Sequence, residues 1–209
     1  MNLLSTGIME SAQEAVLGVC YGTVVVDPPW QPVMDIENGG APKGSPSVRY
    51  QTMSVDEIVA LRPRMAKQSH LYVWGLSQHM DWPYLVARAW GAEPIITLTW
   101  RKPGLGVGRF RCNTEHVLVA RKGSRHGNPF GAGGRHAQAT DGTIFEWPRG
   151  EHSAKPSQFF DLVERLSPPP RLEMYARGPR PGWAVFGNQA SGDMQLCLPL
   201  TAAQVGERR

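Results

Sequence analysis

At 209 residues the chain has the length of one domain, enough to bury a sizeable core. Hydrophobic residues make up 41% of it, yet no apolar run approaches the length of a membrane span, so it reads as a soluble globular protein with no membrane partner. The formal charge of +4 permits a phosphate-rich partner, and three widely spaced cysteines argue for a reducing compartment rather than a disulfide framework or zinc site.

Residues 1–18 read as a tail or short helix. They lack the basic and long apolar regions of a secretory leader, so a cytoplasmic location is expected. Residues 19–190 hold the main domain and 191–209 a C-terminal tail. Thr23-Val24-Val25-Val26 is β-branched throughout and predicts a buried strand. Asp27-Pro28-Pro29-Trp30 ends it, because neither proline has an N–H to donate. Residues 31–50 form a Gly/Pro/Ser-rich loop, long enough to be functional. Ser54 with Glu57 spells a capping box for a helix reaching Leu61. A strand is expected from His70 to Trp74, and His70 and His79 cap or pack rather than bind metal. A helix follows from Met80 to Trp90, closed by Gly91. Ile95–Trp100, Val117–Ala120 and the short Gly142–Phe145 are extended. Pro156 starts a helix whose Phe159, Phe160, Leu162, Val163 and Leu166 have helical spacing, stopped by Pro168-Pro169-Pro170. Leu172–Tyr175 and Trp183–Phe186 are the last strands. Helices alternating with apolar strands imply an α/β fold, a mostly parallel sheet with helices on both faces.

The Asp27 motif presents an acid where a buried strand breaks, the place where α/β sheets bind ligands. Asp27 is acceptor-only when ionised, the Pro28 and Pro29 carbonyls have no evident ladder to join, and Trp30 adds a flat apolar face. Such a cluster suits a planar base with an exocyclic amino group. An amine conjugated to a ring is a poor nucleophile, and acceptors on its N–H bonds free the lone pair for attack on a methyl sulfonium and stabilise the charge that develops. Four residues alone fit equally a Pro-Pro turn with a solvent-facing acid.

Arg101, Lys102, Arg109, Arg111, Arg121, Lys122, Arg125 and Arg135 fall in one glycine-broken stretch, suited to following a phosphate backbone or to an ordinary solvated loop. Lys102, Arg109 and Arg111 are the substrate-side candidates. Gly104-Leu105-Gly106-Val107-Gly108 does not open an apolar helix and reads as a mobile loop over the active site, not a dinucleotide fingerprint. Lys155 precedes a helix start, where an ammonium and helix N-terminus together attract a carboxylate. Glu173 and Arg177 flank a late strand end as cofactor ligands or as a surface ion pair. Asn188 and Gln189 follow Gly187 at another strand end, where amides can bond ribose hydroxyls.

Asp-Pro-Pro-Trp is also the signature of amino-group methyltransferases. The chain resembles the family of the messenger-RNA adenosine methyltransferase seventy-kilodalton subunit and its bacterial and phage relatives. The resemblance rests on Tyr50-Gln51-Thr52-Met53-Ser54, Glu115-His116-Val117-Leu118-Val119, His152-Ser153-Ala154-Lys155-Pro156, Glu164-Arg165-Leu166-Ser167-Pro168, Glu173-Met174-Tyr175-Ala176-Arg177 and Trp183 with Gly187-Asn188-Gln189, in the family's order. It implies a Rossmann-like, circularly permuted methyltransferase fold, S-adenosylmethionine as cofactor, no metal, and adenine N6 as acceptor. It implies that Asp27, Pro28 and Pro29 activate N6 while Trp30 covers the base. Lys155, Arg177, Asn188 and Gln189, with Asp27 and Glu173 beside them, would hold the cofactor. Tyr50 would lie against substrate or cofactor, or pack at a strand edge. DNA is the first-choice substrate, RNA the alternative, and a homodimer or heteromeric partner is open. A catalytically silent nucleic-acid-binding subunit is the rival reading, against which stands the intact Asp27 motif. Two departures bear on the cofactor: Leu17–Gly22 contains no acid, and the segment between Arg177 and Trp183 is short and lacks an asparagine.

Overall fold

A computed structural model describes residues 18–31, 52–105, 111–123, 142–150, 154–188 and 194–197. Its strands are β1 (Tyr21–Val26), β2 (Met65–Gly75), β3 (Glu93–Arg101), β4 (Thr114–Lys122), β5 (Ile144–Phe145), β6 (Arg171–Met174), β7 (Trp183–Asn188) and β8 (Met194–Cys197). The helices are α1 (Val55–Ala60), α2 (Asp81–Ala89) and α3 (Ser157–Leu166). The strands form one sheet in the order β5-β3-β4-β2-β1-β6-β7-β8.

Alternation along β1 divides the core. Val24 and Val26 face the side covered by Ile58 of α1 and by Val86 and Ala87 of α2, with Trp90 just beyond α2. Val25 faces the side covered by Phe159, Phe160 and Val163 of α3. A strand buried on both faces needs a continuous apolar run, which is why three valines in a row mark the middle of the sheet. The capping box forms as expected, with Ser54 and Glu57 bonding reciprocally across the first turn of α1.

β1 pairs in parallel with β2 and β6, β6 with β7, and β3 with β5. The β2–β4, β3–β4 and β7–β8 pairs are antiparallel. The expected α/β class therefore stands, with a mixed sheet. The antiparallel group arises because β3 and β4 are joined without a crossover helix, and such neighbours return as a hairpin. Met194–Cys197, expected within a C-terminal tail, instead pairs with Val185–Asn188 of β7.

β2 begins five residues before His70, because Met65 already pairs with Tyr21, and the register then shifts before Thr23 meets His70. Expectations for residues 1–17, for the loop at 32–51 and for the glycine run at 106–110 fall outside the described residues. His70 is fully buried, and the Ser167 hydroxyl lies 2.7 Å from both its Nδ1 and the Tyr72 hydroxyl, tying the end of α3 to β2. His79 stacks on Trp82 with centroids 4.1 Å apart.

Candidate active site

The prolines after β1 release the chain from the ladder and leave Asp27 at its C-terminal edge, half-buried. Lys155, on the segment entering α3, reaches back 128 residues in sequence to place Nζ 2.7 Å from both carboxylate oxygens of Asp27. The same Nζ lies 3.4 Å from Glu115 Oε2 and 5.1 Å from the centroid of the Trp74 ring. The other Glu115 oxygen takes an ion pair from Lys102, whose Nζ sits over Trp100. Two ammonium groups on two tryptophans thus share one carboxylate, and one of them carries Asp27.

Burial alone would depress the Lys155 pKa, but the Asp27 and Glu115 carboxylates outweigh it and hold the ammonium above its ordinary range. For Glu115, burial pushes upward while Lys155 and Lys102 prevail and keep its pKa below the usual carboxylate range. Lys155 and Glu115 are therefore both charged at neutral pH. Glu115 stands in a stretch that carries the family resemblance but was given no role of its own; its place just before the apolar run at Val117 was the available signal.

Beside Asp27 opens a cleft of about 170 Å³ whose lining includes Lys155, Phe160, Glu173, Tyr175, Arg177 and Arg180. Glu173 pairs with Arg180, Nε to Oε2 at 2.8 Å, and the Arg180 guanidinium lies 3.3 Å from the Phe160 ring centroid. Burial raises the Glu173 pKa, with Arg180 pulling back and Asp27 adding to the rise. Arg180 fell in the short segment between Arg177 and Trp183 that sequence reasoning left without a role.

Local backbone geometry builds this cleft. Tyr175 follows β6 at φ 63°, a left-handed conformation that costs a tyrosine about 1–3 kcal/mol. Its ring packs against the core on the α1 side and helps hold that turn. The next residue, Ala176, bonds back to Phe186 through its N–H, and a Cβ on Gly187 would collide with the Ala176 peptide. Glycine at 187 is thus what lets the Ala176 peptide after β6 lie directly against β7.

Several expectations need revising. Trp30 is not an open face for a base: it is 7% exposed, bonds Trp74 O through Nε1 at 2.9 Å, and packs on Trp82 at 5.5 Å between centroids. A large apolar ring beside the sheet end gains more from the core than from solvent. The proline carbonyls are not unpartnered either. Pro28 O accepts from Trp30 N and Pro29 O from Met53 N, both at 2.8 Å, though each keeps a second lone pair. Arg111 is exposed at the turn before β4. Tyr50, Arg109, Gln189 and the side chain of Asn188 lie outside the described residues. Among the described residues no three His, Cys, Asp or Glu side chains converge as a metal site, and no helix is long and apolar enough to cross a membrane.

The arrangement offers acceptors (Asp27, Glu173) and cations (Lys155, Arg177, Arg180) within one cleft, a set able to hold a zwitterion next to an acid at a strand end.

The chain is 28% identical over 201 residues to a Drosophila melanogaster protein named N(6)-adenosine-methyltransferase MT-A70-like protein, covering 90% of this chain and 30% of that one. It is 27% identical over 201 residues to the human N(6)-adenosine-methyltransferase catalytic subunit METTL3, covering 90% and 31%. A Medicago truncatula protein named putative N(6)-adenosine-methyltransferase MT-A70-like is 26% identical over 185 residues, covering 82% and 27%. The chain thus spans under a third of the length of these curated relatives. The MT-A70 family model matches residues 21–189, from the first residue of β1 to just past β7, and the chain belongs to the MT-A70 family.

Proposed function

We propose that this chain transfers a methyl group from S-adenosylmethionine to the N6 amino group of adenine in nucleic acid. The observation that supports this most is the Asp27–Lys155 pair at the mouth of the zwitterion-binding cleft, at the strand end where Asp-Pro-Pro-Trp breaks the ladder. Membership of the MT-A70 family supports S-adenosylmethionine as the cofactor, and the donor set fits it. Glu173 and Asp27 suit its ammonium, and Lys155, Arg177 and Arg180 suit its carboxylate. Asn188 and Gln189 are assigned the ribose. When bound, this group would supply an electrophilic methyl for the amine that Asp27 receives.

The chain's own residues do the rest. An adenine amino group entering beside β1 takes one Asp27 oxygen as acceptor while Lys155 retains the other. The free lone pair of Pro28 O accepts the second N–H. Both contacts localise the nitrogen lone pair and stabilise the positive charge that grows on N6. Glu115 holds Lys155 in register from the far side. Trp30 acts as a positioning residue that anchors the motif in the core. N6 of a paired adenine is occupied and stacked, so the base must be unpaired or flipped out. Lys102, Arg109 and Arg111 are assigned the phosphates, and Tyr50 a place against substrate or cofactor. The sequence favoured DNA; the relatives' names specify adenosine, which supports RNA. The name of the human relative, a catalytic subunit, supports a search for a heteromeric partner.

The test is incubation with isotopically labelled S-adenosylmethionine and, separately, duplex DNA, single-stranded DNA and RNA, followed by nucleoside identification. N6-methyladenine from at least one polymer is expected. Label on another nucleoside, or on none of the three, refutes the reading.

A further inference from the structure

A second and larger cleft, about 490 Å³, opens where β3, β4 and β5 end, and its lining includes Arg101, Lys102, Pro103, Asn113, Trp147 and Pro148. Its volume is in the range that takes a drug-sized ligand, about 300–1,000 Å³.

The walls are tied together. Trp100 Nε1 bonds the carbonyl of Trp147 at 2.9 Å, and Lys102 N bonds Asn113 O at 2.7 Å. The half-buried Trp147 ring stacks on Phe145 with centroids 4.3 Å apart, which stiffens that wall. Arg101 forms an ion pair with Glu146 across the rim, both well exposed, so an incoming anion can displace the carboxylate at little cost.

The cleft is joined to the proposed catalytic acid by side chains already described. Lys102 in its lining shares Glu115 with Lys155, and Lys155 holds Asp27. Aromatic edges run alongside in the same order, Trp74 to Trp100 at 6.3 Å between centroids and Trp100 to Trp147 through the indole hydrogen bond. A rigid aromatic with prolines, an exposed arginine at the rim, a lysine set deeper against Glu115 and an asparagine amide is what single-stranded nucleic acid binds: a stacking platform with phosphate partners. A cofactor that fills the Glu173 cleft leaves this one open.

We propose that this cleft binds the nucleotide next to the target adenine, its base against Trp147 and the prolines and its phosphate at Arg101 and Lys102. The inference rests on the nucleic-acid reading of the Asp27 site. It makes the neighbouring base a part of substrate recognition through stacking, with Asn113 as the edge reader.

The test uses labelled single-stranded oligonucleotides with one adenine, in DNA and RNA form, flanked by normal bases or by abasic residues. Affinity is read by fluorescence anisotropy with S-adenosylmethionine present, and methylation is read in parallel. Abasic flanks should weaken binding to the wild type about tenfold, the size of one base–aromatic contact. Trp147→Ala should bind the normal strand about as weakly as the wild type binds the abasic one, with no further loss on the abasic strand. Arg101→Gln, an exposed change that leaves the Trp147 wall intact, should reduce the salt dependence of binding on both strands. Equal wild-type affinity for normal and abasic flanks, or an undiminished flank effect in Trp147→Ala, overturns the subsite even if adenine is methylated. Absence of methylation on every strand counts against the catalytic reading instead, and the affinity comparison still decides the subsite.

Discussion

His70 makes this fold sensitive to mild acid. Its imidazole is fully buried and bonded through Ser167 to Tyr72. Burial first, and the Arg121 guanidinium second, lower its pKa from 6.5 to about 4. Tyr72 moves the other way, to about 12, so its hydroxyl stays a donor and the Ser167 hydroxyl can pass a bond on to a neutral Nδ1. Protonation would turn that acceptor into a donor inside the core. The unfolded chain binds this proton near pH 6.5 and the folded chain only near 4. The stability His70 permits is therefore whole above the unfolded value and is lost as pH falls between the two. A fall from 6.5 to about 4, at about 1.4 kcal/mol for each unit, corresponds to about 3 kcal/mol. Urea denaturation at a series of pH values across that window checks it, comparing wild type with His70→Gln, which does not titrate. The wild type should lose about 3 kcal/mol more than the variant across the window. Parallel stability curves would refute the argument, whatever the absolute stability of the variant.

Asp27→Ala should abolish methyl transfer in the labelled-methyl assay while cofactor affinity by calorimetry changes far less; substantial turnover would remove Asp27 from the chemistry. Glu115→Gln deletes one of two carboxylates that hold the Lys155 ammonium, so the Lys155 pKa should fall, and kcat should drop about 10-fold or more on the scale of a lost electrostatic contact, with the alkaline limb of the pH–rate profile moving down; an unmoved profile would make Glu115 only a packing residue. Gly187→Ala forces a Cβ into the Ala176 peptide, so it should destabilise the fold by about 1–3 kcal/mol and weaken S-adenosylmethionine binding; wild-type affinity by titration calorimetry would mean that this close approach does not shape the cleft.

Much of this was legible in the residues because the signals were local. The valine run and its proline stop located β1 and Asp27, and Ser54 with Glu57 located α1. The aromatic spacing after Pro156 located α3. What escaped depended on pairing at long range. The separation of Arg180 from Glu173 is short in sequence, but only the turn at Tyr175 decides that Arg180, not Arg177, meets that carboxylate. Trp30 reads as a stacking face until the Trp74 carbonyl and Trp82 are brought to it. Glu115 stands two residues before the predicted strand Val117–Ala120, and nothing local indicates that its neighbours across the sheet end are two lysines. β8 carries an apolar pattern too short to separate from a tail.

The sheet order has a consequence for synthesis of the chain. β1 emerges first, but its neighbour β6 pairs Val24 with Leu172 and Val26 with Met174, near the other end. A nascent chain that has produced β1 through β4 exposes one edge of a strand built of consecutive valines, with Asp27 at its tip and neither Lys155 nor Glu173 yet made. Such an edge is a template for wrong pairing until β6 covers it. The same residues that create the acid's position therefore leave the half-made sheet with an open apolar edge, and the acid acquires its Lys155 counter-ion only when the segment entering α3 docks.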